Sequence, residues 1–114
     1  MLADANSRAG SLPLLKRKRL ELARALSTEP TVLLLDEIAG GLVEAEVLEL
    51  VETVRGIHAE GVTIVWIEHI VHALLAVVDR IMAMSFGQKI AEGDPETVMA
   101  RPAVQEVYMG VAPE

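Results

Sequence analysis

The sequence contains no cysteine and few aromatic residues, and each shortage excludes a class of protein. Without cysteine there is no disulfide framework, no thiolate metal site and no cysteine nucleophile, which fits a reducing compartment such as the cytoplasm. Aromatic residues make up 3% of the 114 positions, and 17 Asp and Glu outnumber 10 Lys and Arg, for a net charge of −7. Because nucleic-acid binding needs clustered positive charge and stacking aromatics, we expect no nucleic-acid partner.

Long apolar runs are missing as well. The longest, Ala73 to Val78, has six residues, against the roughly 20 that a membrane-crossing helix needs. Residues 1–4 lack the charged-then-apolar layout of a secretory signal. Because 52% of the residues are apolar and lie in patterned blocks, the chain is not disordered. The sequence predicts a flexible lead-in over residues 1–11 and one compact domain over residues 12–114.

Hydrophobic periodicity predicts helices that alternate with short apolar strands. Helices are expected at residues 12–26, 44–58, 71–78, 95–100 and 102–108, and strands at residues 31–35, 62–67, 81–85 and 89–91. The last two strands should form a hairpin around Gly87, and Asp94-Pro95 should open the helix that follows. The alternation predicts a parallel α/β core, and the apolar run at 31–35 predicts a strand buried on both faces.

Acidic and imidazole side chains follow two of the predicted strands. Asp36 and Glu37 end the first strand, and His69 comes just after the next. Since α/β folds bind ligands at the carboxyl edge of parallel strands, one carboxylate can hold Mg²⁺ through water and the other can polarise an attacking water. His69 would lie beside them and contact a phosphate or that water. The alternatives are a solvated acidic loop and an ordinary loop histidine.

Half of the basic residues lie in one nine-residue stretch of the first predicted helix, residues 16–24. They are Lys16, Arg17, Lys18, Arg19 and Arg24. The pattern alone favours a solvated helix face. A phosphate group at the start of the helix is the alternative, because free backbone amides and the helix dipole favour anions there.

Taken together and in order, five segments resemble the C-terminal half of an ABC-transporter ATPase subunit, most closely the branched-chain amino-acid transporter subfamily. The matching regions are the helix after the signature motif (17–26), the Walker B strand (32–37), the D-loop region (39–42), the switch-histidine segment (67–69 with 79–80) and the subfamily's tail (90–98 with 107–110). The resemblance begins near Gly10 and covers nearly the whole chain.

The resemblance implies a partial P-loop NTPase core, with parallel strands, flanking helices, a C-terminal hairpin and two final helices. In the complete subunit the cofactors would be ATP and Mg²⁺. Asp36 would serve the Mg²⁺ site through water, Glu37 would polarise the hydrolytic water, and His69 would sense the γ-phosphate. Nucleotide contacts would fall to the signature positions and the D-loop region, here Leu12, Pro13, Leu14, Leu15, Lys16, Gly40 and Gly41.

Several positions depart from the family pattern. Leu15 and Lys16 stand where the family has glycine and glutamine, and a leucine side chain obstructs the approach of backbone to phosphates. Ile38 replaces the usual proline after the catalytic glutamate, and Val43 replaces a polar residue of the D-loop.

The phosphate-cradling motif G-x-x-x-x-G-K-[S/T] does not occur in these 114 residues. We therefore expect the chain alone to hydrolyse ATP negligibly, because electrostatic stabilisation of the phosphates supplies most of the catalysis. In the family, the strand before that motif belongs to the same sheet, so we also expect an unpaired apolar sheet edge.

The leading hypothesis is the C-terminal portion of the ATP-binding subunit of a branched-chain amino-acid importer, whether as a fragment, a split gene product or a decayed copy. Its partners would be a second ATPase subunit and transmembrane permease subunits, at the inner face of the cell membrane. The alternative is a non-catalytic, stand-alone module that docks on a partner or self-associates through its exposed sheet edge. A small metal-dependent hydrolase is a third hypothesis, for which the sequence offers too few ligands.

Overall fold

The computed structural model describes residues 2–108, and the chain divides into two compact units, Met1–Val77 and Val78–Glu114, where the sequence predicted a single domain over residues 12–114. The first unit contains α1 (Leu14–Leu26), β1 (Val32–Asp36), α2 (Glu44–Ala59), β2 (Thr63–Ile67) and α3 (Val71–Leu75). The second contains β3 (Ile81–Ser85), β4 (Gln88–Gly93), α4 (Pro95–Met99) and α5 (Pro102–Tyr108). The predicted order of helices and strands and the predicted α/β class are confirmed.

The lead-in over residues 1–11 contains two short 3-10 turns, Leu2–Asp4 and Ala9–Ser11, which the sequence did not predict. The second is held by local polar contacts, since the Ser11 hydroxyl donates to the Arg8 carbonyl oxygen at 2.7 Å. The Asp4 carboxylate pairs with Nζ of Lys16 at 3.1 Å and so connects the lead-in to α1. Turns of this kind have no hydrophobic period, which is why the pattern search did not find them.

The core of the first unit combines side chains from α1, α2 and β1. The apolar stripe predicted for α2 is buried as expected, at Val47, Leu50, Val51, Val54 and Ile57. The helix starts after Val43, whose backbone N–H donates to the Glu46 carboxylate at 3.1 Å. This bond satisfies one of the amides that a helix start leaves unpaired.

The strands β1 and β2 run parallel, with Val32 opposite Thr63 and Asp36 opposite Ile67. Their side chains alternate between a covered and an open side: Leu33 and Leu35 are buried in the core, whereas an exposed sheet face is formed by Val32, Leu34, Val65 and Ile67, which are 51–74% exposed. The expectation that β1 is buried on both faces is therefore wrong. The reason is that the helices of this unit pack on the side of Leu33 and Leu35 only.

The second unit is a hairpin packed against two helices. Strands β3 and β4 pair from Ile81 opposite Gly93 to Ser85 opposite Gln88, and its small core is Ala83, Ala91, Val98 and Val104. The Asp94 carboxylate accepts the Thr97 backbone N–H at 3.2 Å, which confirms the predicted helix start. Met109 and Gly110 of the predicted family tail lie outside the described residues.

The longest helix, α2, has 16 residues. Across residues 2–108, no helix combines the length and the apolar character needed to span a membrane.

Candidate functional site

The candidate site lies where β1 and β2 end side by side. Because the two strands are parallel and paired up to Asp36 and Ile67, the residues that follow them leave the sheet at the same edge. The Glu37 backbone N–H extends this pairing and donates to the Ile67 carbonyl oxygen at 2.7 Å. Oε1 of Glu37 lies 3.3 Å from Nδ1 of His69. Two of the three residues predicted to share a site are thus in contact.

Glu37 and His69 are both open to solvent, with side chains 58% and 64% exposed. Glu37 has a φ of 50°, in the left-handed region that residues with a side chain seldom adopt. Such conformations store strain and occur often at functional sites. An exposed carboxylate fixed at a strand end can accept a proton from a water molecule, and the neighbouring imidazole can donate to or accept from a second group.

Asp36 is the last residue of β1 and is exposed. Mg²⁺ is usually held in nucleotide sites by one or two carboxylates, with waters and phosphate oxygens completing six ligands. Asp36 supplies one such carboxylate at an open edge, which fits that arrangement as a partial ligand set. Among residues 2–108 there is no group of three or more His, Cys, Asp or Glu side chains that could hold a metal by themselves.

A buried carboxylate next to these residues was missed by the sequence analysis. The side chain of Glu68 is 0% exposed. Its Oε2 accepts N–H groups from Ala39 and Trp66, and its Oε1 lies 3.3 Å from Nδ1 of His69. In the sequence, the only sign of a role for Glu68 is its position directly before His69. An acidic residue at that position could equally be exposed to solvent.

The signature positions have mixed surroundings. Leu12 and Leu15 are buried, and Leu15 belongs to the core of the first unit. Pro13 precedes the first helical residue, Leu14, which is half exposed. Lys16 pairs with Asp4. The leucine that stands in place of the family's glycine therefore packs inside the protein.

The basic cluster of α1 makes contacts within the chain. Nε and Nη2 of Arg17 donate to the carbonyl oxygens of Leu12 and Gly10 at 2.8 and 2.9 Å. Nη2 of Arg19 donates to the Thr53 hydroxyl on α2 at 3.3 Å. With the Lys16–Asp4 pair, these bonds engage three of the five cations in contacts within the chain.

The D-loop glycines lie next to the start of α1. Gly41 has a φ of +82°, and a Cβ at this position would meet Cδ2 of Leu14 at 3.0 Å. A Cβ on Gly40 would lie 3.6 Å from the Glu37 carbonyl oxygen, which is an ordinary contact. The fold therefore brings Gly41 against one of the signature positions, where a methyl group would fit only if the Leu14 side chain shifted by a few tenths of an ångström.

Replacing Gly41 with alanine should destabilise the chain by about 1–2 kcal/mol, because alanine is strained at positive φ and its methyl group would press on Leu14. The matched control is Gly56→Ala within α2, where a Cβ meets nothing within 4 Å. That change should stabilise by about 0.5–1 kcal/mol. Urea denaturation followed by circular dichroism measures both. Equal effects of the two substitutions would contradict the conformation assigned to Gly41.

A family model described as the branched-chain amino acid ATP-binding cassette transporter matches residues 88–114. The high-affinity branched-chain amino acid transport ATP-binding protein BraF of Pseudomonas aeruginosa is 36% identical over 109 residues, covering 95% of this chain and 43% of BraF. The protein LivG of Escherichia coli K12, which carries the same description, is 36% identical over 113 residues, covering 98% of this chain and 44% of LivG.

Solved structures agree with the sequence relatives. A nucleotide-free ATP-binding cassette from an ABC transporter superposes with a TM-score of 0.84 at 31% identity, covering 93% of this chain and 44% of that one. A cassette in its ADP conformation gives a TM-score of 0.84 at 32% identity, covering 92% and 43%. The fold is that of part of an ABC-type ATP-binding cassette, which is a partial P-loop NTPase core.

More particularly, over nearly its whole length the chain is similar to the C-terminal part of branched-chain amino acid transport ATP-binding proteins. It spans less than half the length of the relatives that it matches.

Proposed function

We propose that this chain is the C-terminal, catalytic portion of the ATP-binding subunit of an ABC importer for branched-chain amino acids. The observation that carries the proposal is the contact between Glu37 and His69 at 3.3 Å, at the shared edge of two parallel strands. A carboxylate can take a proton from the attacking water, and an imidazole can contact a phosphate, so both groups can take part in hydrolysis of a phosphoanhydride. The family likeness over the whole chain supports the same assignment.

Each residue has a proposed role in the complete subunit. Glu37 polarises the hydrolytic water, and His69 senses the γ-phosphate. Asp36 serves Mg²⁺ through a water, and the bound ion would neutralise charge on the phosphates. Gly40 and Gly41 form the D-loop region beside the signature positions, residues 12–16, through which a partner subunit's nucleotide would be approached. ATP binding itself depends on a phosphate loop that these 114 residues do not contain.

The transported substrate and the partners are proposed from the relatives. BraF and LivG are described as high-affinity branched-chain amino acid transport ATP-binding proteins. We therefore propose branched-chain amino acids as the cargo, and a second ATPase subunit and transmembrane permease subunits as the partners. In such an assembly the chain would lie on the cytoplasmic side of the membrane.

A chimeric cassette tests this function. Residues 12–114 would replace the matching C-terminal part of LivG, and ATP binding and hydrolysis would be measured with the purified chimera. Hydrolysis that depends on Mg²⁺ and on Glu37 supports the proposal. A chimera that folds and binds ATP, but does not hydrolyse it even after Lys16→Gln restores the family residue, would reject a catalytic role for this portion.

The stand-alone docking module is less well supported, because the family likeness runs through the catalytic segments as well as the surfaces. That hypothesis named an unpaired sheet edge, whereas the apolar surface that the structure shows is the exposed sheet face. Contiguous exposed apolar side chains on a strand pair favour association with other surfaces.

We accordingly expect the isolated chain to self-associate through the exposed sheet face. Leu34, 74% exposed at its centre, is the side chain to change. Leu34→Lys should shift the chain toward monomer in sedimentation velocity runs over a range of concentrations, since a charge in an apolar contact is poorly solvated. Leu48→Lys, on the solvent side of α2, is the control and should leave association unchanged. A wild-type chain that stays monomeric at all concentrations would contradict this expectation.

A further inference from the structure

The side chain of Glu68 is acidic and yet 0% exposed. Burying a carboxylate is unfavourable unless hydrogen bonds replace the lost water. Four N–H groups do so here. Oε2 accepts from the Ala39 backbone at 3.1 Å and from Nε1 of Trp66 at 3.2 Å. Oε1 accepts from the His69 and Ile70 backbones at 3.1 and 3.4 Å.

These four donors match the acceptor capacity of an ionised carboxylate, which has two oxygens and about four lone-pair sites. An amide of the same shape offers one oxygen and an NH₂ group, so half of the donors around Glu68 would face another donor. The chemistry of the pocket therefore requires a carboxylate.

The donors come from two separate segments of the chain. Ala39 lies in the D-loop region that follows Glu37, and it is 29 residues away from Glu68 in sequence. Trp66, His69 and Ile70 belong to the end of β2 and the switch segment. Glu68 thus bridges the loops that leave β1 and β2.

The imidazole of His69 lies between the carboxylates of Glu68 and Glu37. Its Nδ1 is 3.3 Å from Oε1 of Glu68 and 3.3 Å from Oε1 of Glu37. The backbone of His69 is fixed by Glu68 and its ring contacts Glu37, so the orientation of the imidazole depends on the buried carboxylate. His69 is exposed, and its contacts with the buried Glu68 carboxylate restrain it.

We propose that Glu68 is a positioning residue, which joins the D-loop region to the switch segment and holds His69 against Glu37. Its consequence for ATP hydrolysis rests on the proposed function above. The bridge itself is a property of the 114-residue chain and can be tested without nucleotide.

The test compares Glu68→Gln with wild type by ¹⁵N–¹H correlation spectra of the purified chain. One oxygen of the carboxylate becomes an NH₂ group, so one pair of donors loses its acceptor and its proton resonances should shift upfield. That pair is either the Ala39 amide with the Trp66 indole N–H or the His69 and Ile70 amides. The emission of Trp66 should also change, because its indole loses a charged neighbour. The control is Glu60→Gln at the exposed end of α2, which should alter only its own neighbours.

If Glu68→Gln fails to fold, Glu68→Asp keeps the carboxylate but shortens it by one methylene. The Ala39 amide should then shift upfield, because it is the donor on the far loop, while the His69 amide stays bonded. Unchanged Ala39, Trp66, His69 and Ile70 resonances in the folded variant would overturn the proposal. Since no readout involves ATP, a chimera without ATPase activity would reject the proposed function and leave this test intact.

Discussion

Replacing Glu37 with glutamine in the chimeric cassette is expected to lower the rate of ATP hydrolysis by about 10²- to 10⁴-fold, the range typical for loss of a general base. Glutamine has nearly the same shape and still offers an oxygen toward Nδ1 of His69, which lies 3.3 Å from Oε1 in the wild type. It cannot accept a proton from water at neutral pH. The affinity for ATP should stay close to that of the unsubstituted chimera, because Glu37 polarises water and does not cradle phosphate.

The measurement pairs steady-state ATPase assays with titration of a fluorescent ATP analogue. Glu60→Gln is the control, as it removes an equal charge from the exposed end of α2. A Glu37→Gln chimera that turns over ATP at the unsubstituted rate would remove Glu37 from the mechanism. A parallel loss of ATP binding would show that the substitution disturbed the fold instead of the chemistry.

Replacing Leu15 with glycine, the residue that the family pattern has at this position, should destabilise the isolated chain by about 3–6 kcal/mol. Leu15 is 7% exposed and part of the core formed with α2 and β1. Removing a buried leucine side chain costs about 2–5 kcal/mol through lost burial and the cavity left behind. Glycine inside a helix adds about 1 kcal/mol.

Leu48→Gly separates these two contributions, because Leu48 is 56% exposed on α2 and its replacement should cost little beyond helix propensity. Urea denaturation with circular dichroism gives both values. If Leu15→Gly costs no more than Leu48→Gly, then Leu15 is not a core residue. The same substitution also bears on function. Glycine at position 15 would let the backbone approach a phosphate group, but only at the loss of a core side chain.

The elements of the fold were predictable because their signals are local. The apolar stripe of α2 has helical spacing, and the Asp94-Pro95 pair has a capping chemistry that acts within one turn. The contact between Glu37 and His69 also followed from sequence, since it requires only that two parallel strands end together. Periodic patterns, and interactions between residues three or four positions apart, are sufficient to predict these elements from the sequence.

The features that the sequence did not predict depend on which elements pack over each surface and on contacts between residues far apart in the sequence. The composition of β1 suggested burial on both sides, yet only Leu33 and Leu35 are covered, because an apolar strand does not specify how many layers pack on it. Glu68 was missed because no local pattern signals that its side chain is covered, and one of its four donors, Ala39, is 29 residues away.

The exposed sheet face has a consequence for the lifetime of this polypeptide in a cell. Leu34 and Ile67, with their neighbours on β1 and β2, form the kind of accessible apolar strand surface that chaperones and proteases engage. Chaperones and proteases act on marginally stable proteins continuously. A change of about 1–2 kcal/mol in the free energy of unfolding can therefore alter the abundance of such a protein several-fold. A partner that covered this face would therefore be expected to raise the cellular amount of the chain.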